Sequence, residues 1–416
     1  MNSISQTDSE SRTKLADEWR AGWLLVLACA VGMSMSGLST TSLGLAMEPL
    51  QREFGWSRAT VSLATLVPAI VLVLFSPLVG AVIDRWGSRT LAIVSVGLTG
   101  AALALVSQAN GSIGQWIGLW LFYSFVGLGT KMTVWTASVS GAFTTGRGLA
   151  LGVMMTGSAL VQIFIPPIMQ ILVDGYGWRT AYVVMGLGWS LPVLVLVILG
   201  MRDPRQEQRI AARADSTQVA VGGLTFGQAL RNIPLIRIGL STLLTMMVGT
   251  AIMVHQVPIL TETGIARSDA ALYASLAGIA AIIGKLATGW MSDRWDAVLI
   301  STLTMLAPAL AFALLLVSSG QMVPTLIAMV IIGYTTGAKL QISAFLTGRY
   351  GGLSNFGKIF GVMASLIGLG AGTGSVIAGA IFDAYGNYDP VLIAGIIASV
   401  ICAALLFRLG EPQIEQ

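Results

Sequence analysis

Residues 80–89 read Gly80-Ala81-Val82-Ile83-Asp84-Arg85-Trp86-Gly87-Ser88-Arg89, and residues 289–295 read Gly289-Trp290-Met291-Ser292-Asp293-Arg294-Trp295. Each is a short charged turn set between long apolar runs. Asp84 and Asp293 lie 209 positions apart, and the same shift carries Pro49 onto Pro258, Gly55 onto Gly264 and Gly152-Val153-Met154 onto Gly361-Val362-Met363. It also carries Asp174 onto Asp383 and Tyr176-Gly177 onto Tyr385-Gly386. Chance supplies a few such matches, not a set at one offset in every corresponding loop. The chain reads as an internal duplication.

The runs between the turns set the class. Of 416 residues 55% are hydrophobic and 10% charged, against about 25% charged in an average soluble domain. Mean hydropathy is +0.80. A helix needs about 20 apolar residues to cross the hydrocarbon core. Twelve such runs are counted, at 22–47, 60–82, 90–109, 114–141, 149–173, 180–200, 236–260, 270–291, 297–318, 323–347, 358–382 and 389–408. The expected fold is an all-α integral membrane protein, with two parallel six-helix halves at 22–200 and 236–408 joined by a polar linker at 201–235. Residues 1–21 and 409–416 are expected as cytoplasmic tails, the first without the basic start and cleavage site of a signal peptide.

Lys and Arg set the orientation. With the N-terminus inside, cytoplasmic segments hold 16 of the 23 basic residues, the outer loops hold four (Arg52, Arg58, Arg179 and Arg267), and three lie inside spans. Both termini are expected in the cytoplasm. The net charge of +4 is spread over many short loops, so it marks no nucleic-acid surface. Cys29, Cys402 and the single His255 supply no metal-ligand spacing, disulfide framework or nucleophile–base pair. No cofactor is expected, and an enzyme is disfavoured. A sensor is disfavoured too, because no soluble output domain is present. Parallel repeats related by an axis along the membrane normal mark a transporter class with its site at the midplane between the halves.

The turn at 80–89 resembles the signature loop of the major facilitator superfamily, and 289–295 resembles its degenerate second copy. The resemblance spans about 22 to 408. It implies a cytoplasmic gate built from Gly80, Asp84, Arg85, Gly87, Arg89, Gly289, Asp293, Arg294 and Arg147. Asp84 would bond neighbouring helix ends, and Gly80 and Gly87 would allow close backbone approach. The bland alternative is a solvated turn whose arginines set topology. Phe54-Gly55-Trp56-Ser57-Arg58-Ala59, Arg147-Gly148-Leu149-Ala150-Leu151-Gly152, Arg349-Tyr350-Gly351 and Gly370-Ala371-Gly372-Thr373-Gly374 resemble the bacterial branch of the monocarboxylate-porter family.

Ionisable groups inside spans cost roughly 2.5–3.5 kcal/mol each on insertion scales and are functional candidates. Lys131, Lys285 and Lys339 lie inside spans four, eight and ten, while no carboxylate lies near the middle of any span. Three ammonium groups without an internal counter-ion either lose their protons or await an anion. Lys131 is about ten residues, or roughly 15 Å, from its span's inner end, too far to snorkel; Lys285 is nearer its loop and can do so in part. Gly129-Thr130-Lys131 and Gly337-Ala338-Lys339 occupy similar contexts, so the two lysines are expected to face each other across the pseudo-two-fold axis. Trp135, one turn beyond Lys131, is expected to wall the cavity. Tyr123, Tyr334, Gln162, Gln341 and Ser343 are weaker lining candidates, and for each of these residues, Trp135 included, helix packing is at least as good a reading. His255, near the outer mouth, is read as a hydrogen-bonding or titrating gate residue.

The monocarboxylate-porter resemblance implies a carboxylate-binding Arg in span eight, where this chain has Lys285, and an acid four residues earlier, where it has Ala281. It also implies acids in span ten where Lys339 and Gln341 stand. A bidentate clamp thus becomes a point charge. The expected activity is rocker-switch transport of a small organic anion, a mono- or dicarboxylate, aromatic ones included. Protons are the candidate coupling ion, with anion exchange as the alternative. A multidrug or neutral-solute exporter is the rival of the same fold. The chain is expected to act as a monomer in the inner membrane.

Overall fold

The computed structural model describes residues 2–143, 147–201, 224–292, 294–352 and 355–411, and it is built from helices. The first half comprises α1 (Asn2–Ser34), α2 (Leu38–Phe54), α3 (Arg58–Trp86), α4 (Ser88–Leu105), α5 (Ile113–Val126), α6 (Met132–Ala142), α7 (Arg147–Val183) and α8 (Trp189–Gly200). The second comprises α9 (Phe226–Ala229), α10 (Ile233–Glu262), α11 (Arg267–Ser292), α12 (Ala297–Ser318), α13 (Met322–Gly351), α14 (Phe356–Tyr385) and α15 (Asp389–Leu406).

Among the described residues, eleven stretches are long and apolar enough to cross a membrane. One of them, Leu149–Gly200, has 52 residues. Straight, it would run roughly 78 Å at 1.5 Å per residue, more than twice the hydrocarbon thickness. It turns instead at Gly177, which is non-helical at φ 81°, ψ 162°. Its repeat mate Gly386 also has positive φ, at 75°, and the pair Gly55 and Gly264 stand at 67° and 94°. The duplication read from side chains therefore extends to backbone conformation, in the left-handed region that favours glycine.

Helix starts are set by short polar side chains accepting from free N–H groups. Ser57 accepts from Thr60 at the head of α3, Asn232 from Leu235 at α10, and Asp296 from Val298 and Leu299 at α12. Two faces result. Residues 48–58, 108–116, 176–179, 262–267 and 383–388 are tied together on one, called here the clasp face. Arg89 donates to Ile198 O, Arg237 to Ala404 O and Phe407 O, and Tyr350 to Gly410 O on the other, the tail face.

The halves meet along three helix pairs, α3 on α14, α7 on α11 and α2 on α10. Small residues permit this. A side chain at Gly372 or Gly379 would strike α3, at Gly278 it would strike the α7 backbone at Gln162, and at Gly44 the Val254 carbonyl. Membrane helices associate through such close backbone approach. One apolar core runs across both halves, with Trp116, Trp120, Trp135 and Tyr182 buried in its first-half part, and a smaller cluster lies within the second half.

Several expectations are corrected. From residue 2 onward the expected tail at 1–21 shares one helix with the start of span one, since α1 runs continuously from Asn2 to Ser34. Once a span is nucleated, each further turn needs only propagation. The first long helix of the second half, α10, starts at Ile233, three residues before the expected boundary at 236. Most of the linker, residues 202–223, lies outside the described residues. Span one bends between α1 and α2, where Met35, Ser36 and Gly37 donate to carbonyls three residues back. Span four is not one helix. After α5, residues Gly127–Thr130 form a 3₁₀ turn, Lys131 is extended (φ −80°, ψ 162°), and α6 starts afresh.

Candidate functional site

Lys285 is one of the cations that join the halves. From α11 its Nζ donates to Met155 O at 2.8 Å and to Ser158 Oγ at 2.7 Å, both on α7. Ser158 Oγ itself donates to the same Met155 carbonyl at 3.0 Å. These acceptors are neutral, so the ammonium is hydrogen-bonded without being charge-compensated. Thr288, one turn along α11, donates to Tyr334 Oη at 3.1 Å. Gly284 brings α11 against the Tyr334 backbone, which sets Tyr334 in the neighbourhood of Lys285.

Lys131 stands at the break in span four, as the residue heading α6 with no side-chain cap. Among the described residues no side chain pairs with its ammonium. A broken helix brings free N–H groups and a positive dipole end to mid-membrane depth. Sequence reasoning found the lysine and missed the break, although Gly127 and Gly129 within four residues were the available signal.

Lys339 does not face Lys131. Its Nζ lies against Gly249 of α10, and it lines a cavity bounded by α10, α12, α13 and α15, all in the second half. The physical reason is register. The pair matches at an offset of 208, one short of the repeat's 209, and one residue turns a helical side chain by about 100°. The repeat mate of Lys131 is Leu340. Gly129 accordingly packs on α4 near Ser95 while Gly337 packs on α11 near Ala281.

Trp135 is not a cavity wall. It is fully buried, its ring fills the space beside Gly32, and its Nε1 donates to Thr130 O at 2.9 Å. Tyr123 is 2% exposed and stacks edge-on with Trp120. Gln162 lies at the α7–α11 crossing beside Gly278, and Gln341 is exposed. Ser343 accepts from Thr242 within the second half.

His255 is fully buried at the centre of a network between the halves. Its Nε2 meets Ser375 O at 2.9 Å and its Nδ1 meets Tyr388 Oη at 2.6 Å. A carbonyl only accepts, so Nε2 carries the proton and Nδ1 accepts from the phenol. Burial pushes the Tyr388 phenol above its ordinary range, which keeps it a donor. Ser62 stands 3.5 Å from Nε2, and Thr65 of α3 contacts Ser375 of α14.

Outward of His255, Asp383 accepts from the N–H groups of Arg58 and Ala59, both at 2.9 Å, and so caps α3 from the other half. Arg58 lies over the Phe382 ring at 3.5 Å and the Tyr388 ring at 4.9 Å. Arg267 bonds Glu48 and the Leu45 carbonyl. A cavity of about 370 Å³ opens here, lined by Glu48, Gln51, Arg58, Glu262 and Arg267 among others. Sequence reasoning took these as loop charges. The signal lay in the repeat, because Arg58 and Arg267, like Glu53 and Glu262, fall on each other at 209.

Of the expected gate, Gly87 joins α3 to α4 at φ 82°, Arg85 is exposed, and Arg89 holds the end of α8 through Ile198 O. Gly289 has open space around it, and Arg294 covers the Trp290 ring at 4.3 Å. Gly80 lies within α3, while Asp293 and the side chains of Asp84 and Arg147 lie outside what is described.

A family model described as Major Facilitator Superfamily matches residues 29–338 and 238–416. The chain is 25% identical over 413 residues to "Monocarboxylate transporter 11" of Homo sapiens, covering 94% of this chain and 83% of that one. It is 26% identical over 375 residues to "Monocarboxylate transporter 13" of Bos taurus, covering 88% and 84%. Among solved structures, "Crystal structure of D-xylose-proton symporter" superposes with a TM-score of 0.74 at 12% identity, covering 94% of this chain and 98% of that one.

Proposed function

We propose that this chain, which belongs to the Major Facilitator Superfamily and is a transporter, moves a small organic anion, a mono- or dicarboxylate, by alternating access. The observation that carries the substrate class is Lys285. It crosses between the halves and finds only a carbonyl and a hydroxyl. Lys131, at the head of a broken helix, adds a second uncompensated cation. A carboxylate supplies the missing charge, and the relatives' name, monocarboxylate transporter, agrees with that chemistry.

In this reading Leu149–Gly200 counts as two spans, giving twelve. The tail face is cytoplasmic, in keeping with the distribution of Lys and Arg. The two six-helix halves then rock about a site near Lys131, Lys285 and Tyr334. An arriving anion takes over the Lys285 protons, frees Met155 O and Ser158, and lowers the charge cost of bringing the halves together. Lys339 is left out of this set because it opens into one half alone. Proton symport needs His255 or a lysine as the carrier, since no span holds a mid-membrane carboxylate. Without proton coupling, exchange of one anion for another performs the same cycle.

The test is uptake into proteoliposomes of labelled monocarboxylates, dicarboxylates, neutral sugars and a cationic dye, with and without an imposed pH gradient. Saturable carboxylate uptake that falls about ten- to a hundredfold in Lys285→Ala is expected. Uptake of sugar or dye alone would replace the anion reading. Carboxylate uptake insensitive to the gradient and stimulated by internal carboxylate would replace symport with exchange.

A further inference from the structure

We propose that Lys339 holds a monatomic inorganic anion, of the chloride class, inside the second half, apart from the transported solute. The cavity it lines has about 30 Å³ of free space, bounded by Thr245, Met305, Thr336, Ser399 and Cys402 among others. A smaller void of about 10 Å³ on its other side is also lined by Lys339, Thr245 and Met305. A water needs roughly 10–15 Å³ on this measure. The larger void therefore takes one halide with a water, and no organic carboxylate.

The walls are prepared for a negative charge. Gly249 clears the place where the ammonium lies, since a side chain there would collide with Nζ. No described residue accepts a hydrogen bond from that ammonium, and no carboxylate lines either void. Thr245 Oγ1 spends its proton on two sulfurs, Met305 Sδ at 3.2 Å and Cys402 Sγ at 3.3 Å. These are weak acceptors, so an anion in the cavity takes that proton from them at little cost. An ammonium and a hydroxyl, both free to donate into a space of monatomic size, select a small anion by charge and exclude larger ones by volume. All the lining elements belong to one half, so the ion travels with that half and need not cross the membrane.

The experiment is the melting temperature of purified, detergent-solubilised protein at constant ionic strength, titrated with sodium chloride or bromide against sodium gluconate or sulfate. Chloride and bromide are expected to raise it saturably by a few degrees, as a ligand of the native state does, and gluconate and sulfate to leave it unchanged. Lys339→Met removes the response. Gly249→Ala reduces it by displacing the ammonium, and that variant folds because only the far end of a flexible side chain has to move. Lys285→Ala retains it. A melting temperature indifferent to halide in the native protein would assign the cavity to water and overturn the proposal. So would a halide response that survives Lys339→Met. A response lost in Lys285→Ala and kept in Lys339→Met would place the halide in the solute site, leaving the carboxylate reading to its own transport test.

Discussion

Lys285 holds two neutral acceptors of the opposite half, and its worth to transport is the difference between those and a carboxylate. Replacing Lys285 with Ala is expected to lower carboxylate kcat/KM by about ten- to a hundredfold, the span of one charge-assisted hydrogen bond, while Lys285→Arg keeps uptake. Initial rates in proteoliposomes decide between them. Ser158→Ala leaves Met155 O as an acceptor and changes rates by a few-fold at most. At the clasp, Tyr388→Phe removes the donor to buried His255 Nδ1, and an unpaired buried acceptor costs about 1–3 kcal/mol. The expected readout is a lower melting temperature. The raised Tyr388 pKa fixes the sign with pH. The phenol's contribution is complete below about pH 10, the ordinary phenol range, and declines only above it. The native protein thus loses clasp stability in alkali, and Tyr388→Phe removes that part of the loss. Residue chemistry was half legible in the sequence. The unmatched lysines stood out by type, but which face each occupies depends on register that no single residue declares.

The elements were more legible than their interruptions. Long apolar runs and repeated turns gave the helices and the duplication, because burial in lipid forces uniform hydrophobicity and leaves polar residues to the turns. That same uniformity hides breaks. Gly127-Leu128-Gly129-Thr130 is as apolar as its neighbours, and only the glycine density tells against a continuous helix. The two glycines do different work. A side chain at Gly129 would strike Ser95 and come to 3.0 Å from Leu91, whereas one at Gly127 meets Thr99 at an ordinary 3.7 Å. Gly129→Ala is expected to destabilise by about 1–3 kcal/mol through overpacking. Gly127→Ala is expected to keep the melting temperature, favour a straight span four, and slow transport. A variant of Gly127 that transports at the native rate would show that the break is incidental to turnover.

At the scale of the whole molecule, the hydrogen bonds between the halves, those of Lys285 apart, lie on the clasp face or just beneath it. Thr65 and Ser375 contact each other there through their hydroxyls, within reach of a disulfide once both are cysteine. Native Cys29 and Cys402 are buried and free. The double variant Thr65→Cys with Ser375→Cys is expected to lose uptake on oxidation and regain it on reduction, if that seam must part in each cycle. Uptake that survives full oxidation would mean the clasp stays shut throughout. The halves themselves were plain from the sequence, and the seam was not, since small residues at crossings carry no chemical flag. The duplication also left one tether in two chemistries. Glu53 binds Arg179 and Trp178, and its mate Glu262 binds the backbone N–H of Tyr388. The first pairs exposed charges, 44% and 39% open to solvent, while the second is a carboxylate held by a backbone amide, with the Arg58 charge acting on it without a direct ion pair. Rising ionic strength shortens the reach of the first and leaves the second intact. The older symmetry is therefore one that brine lifts: in concentrated salt the two copies part company in stiffness, and the first half slackens before the second.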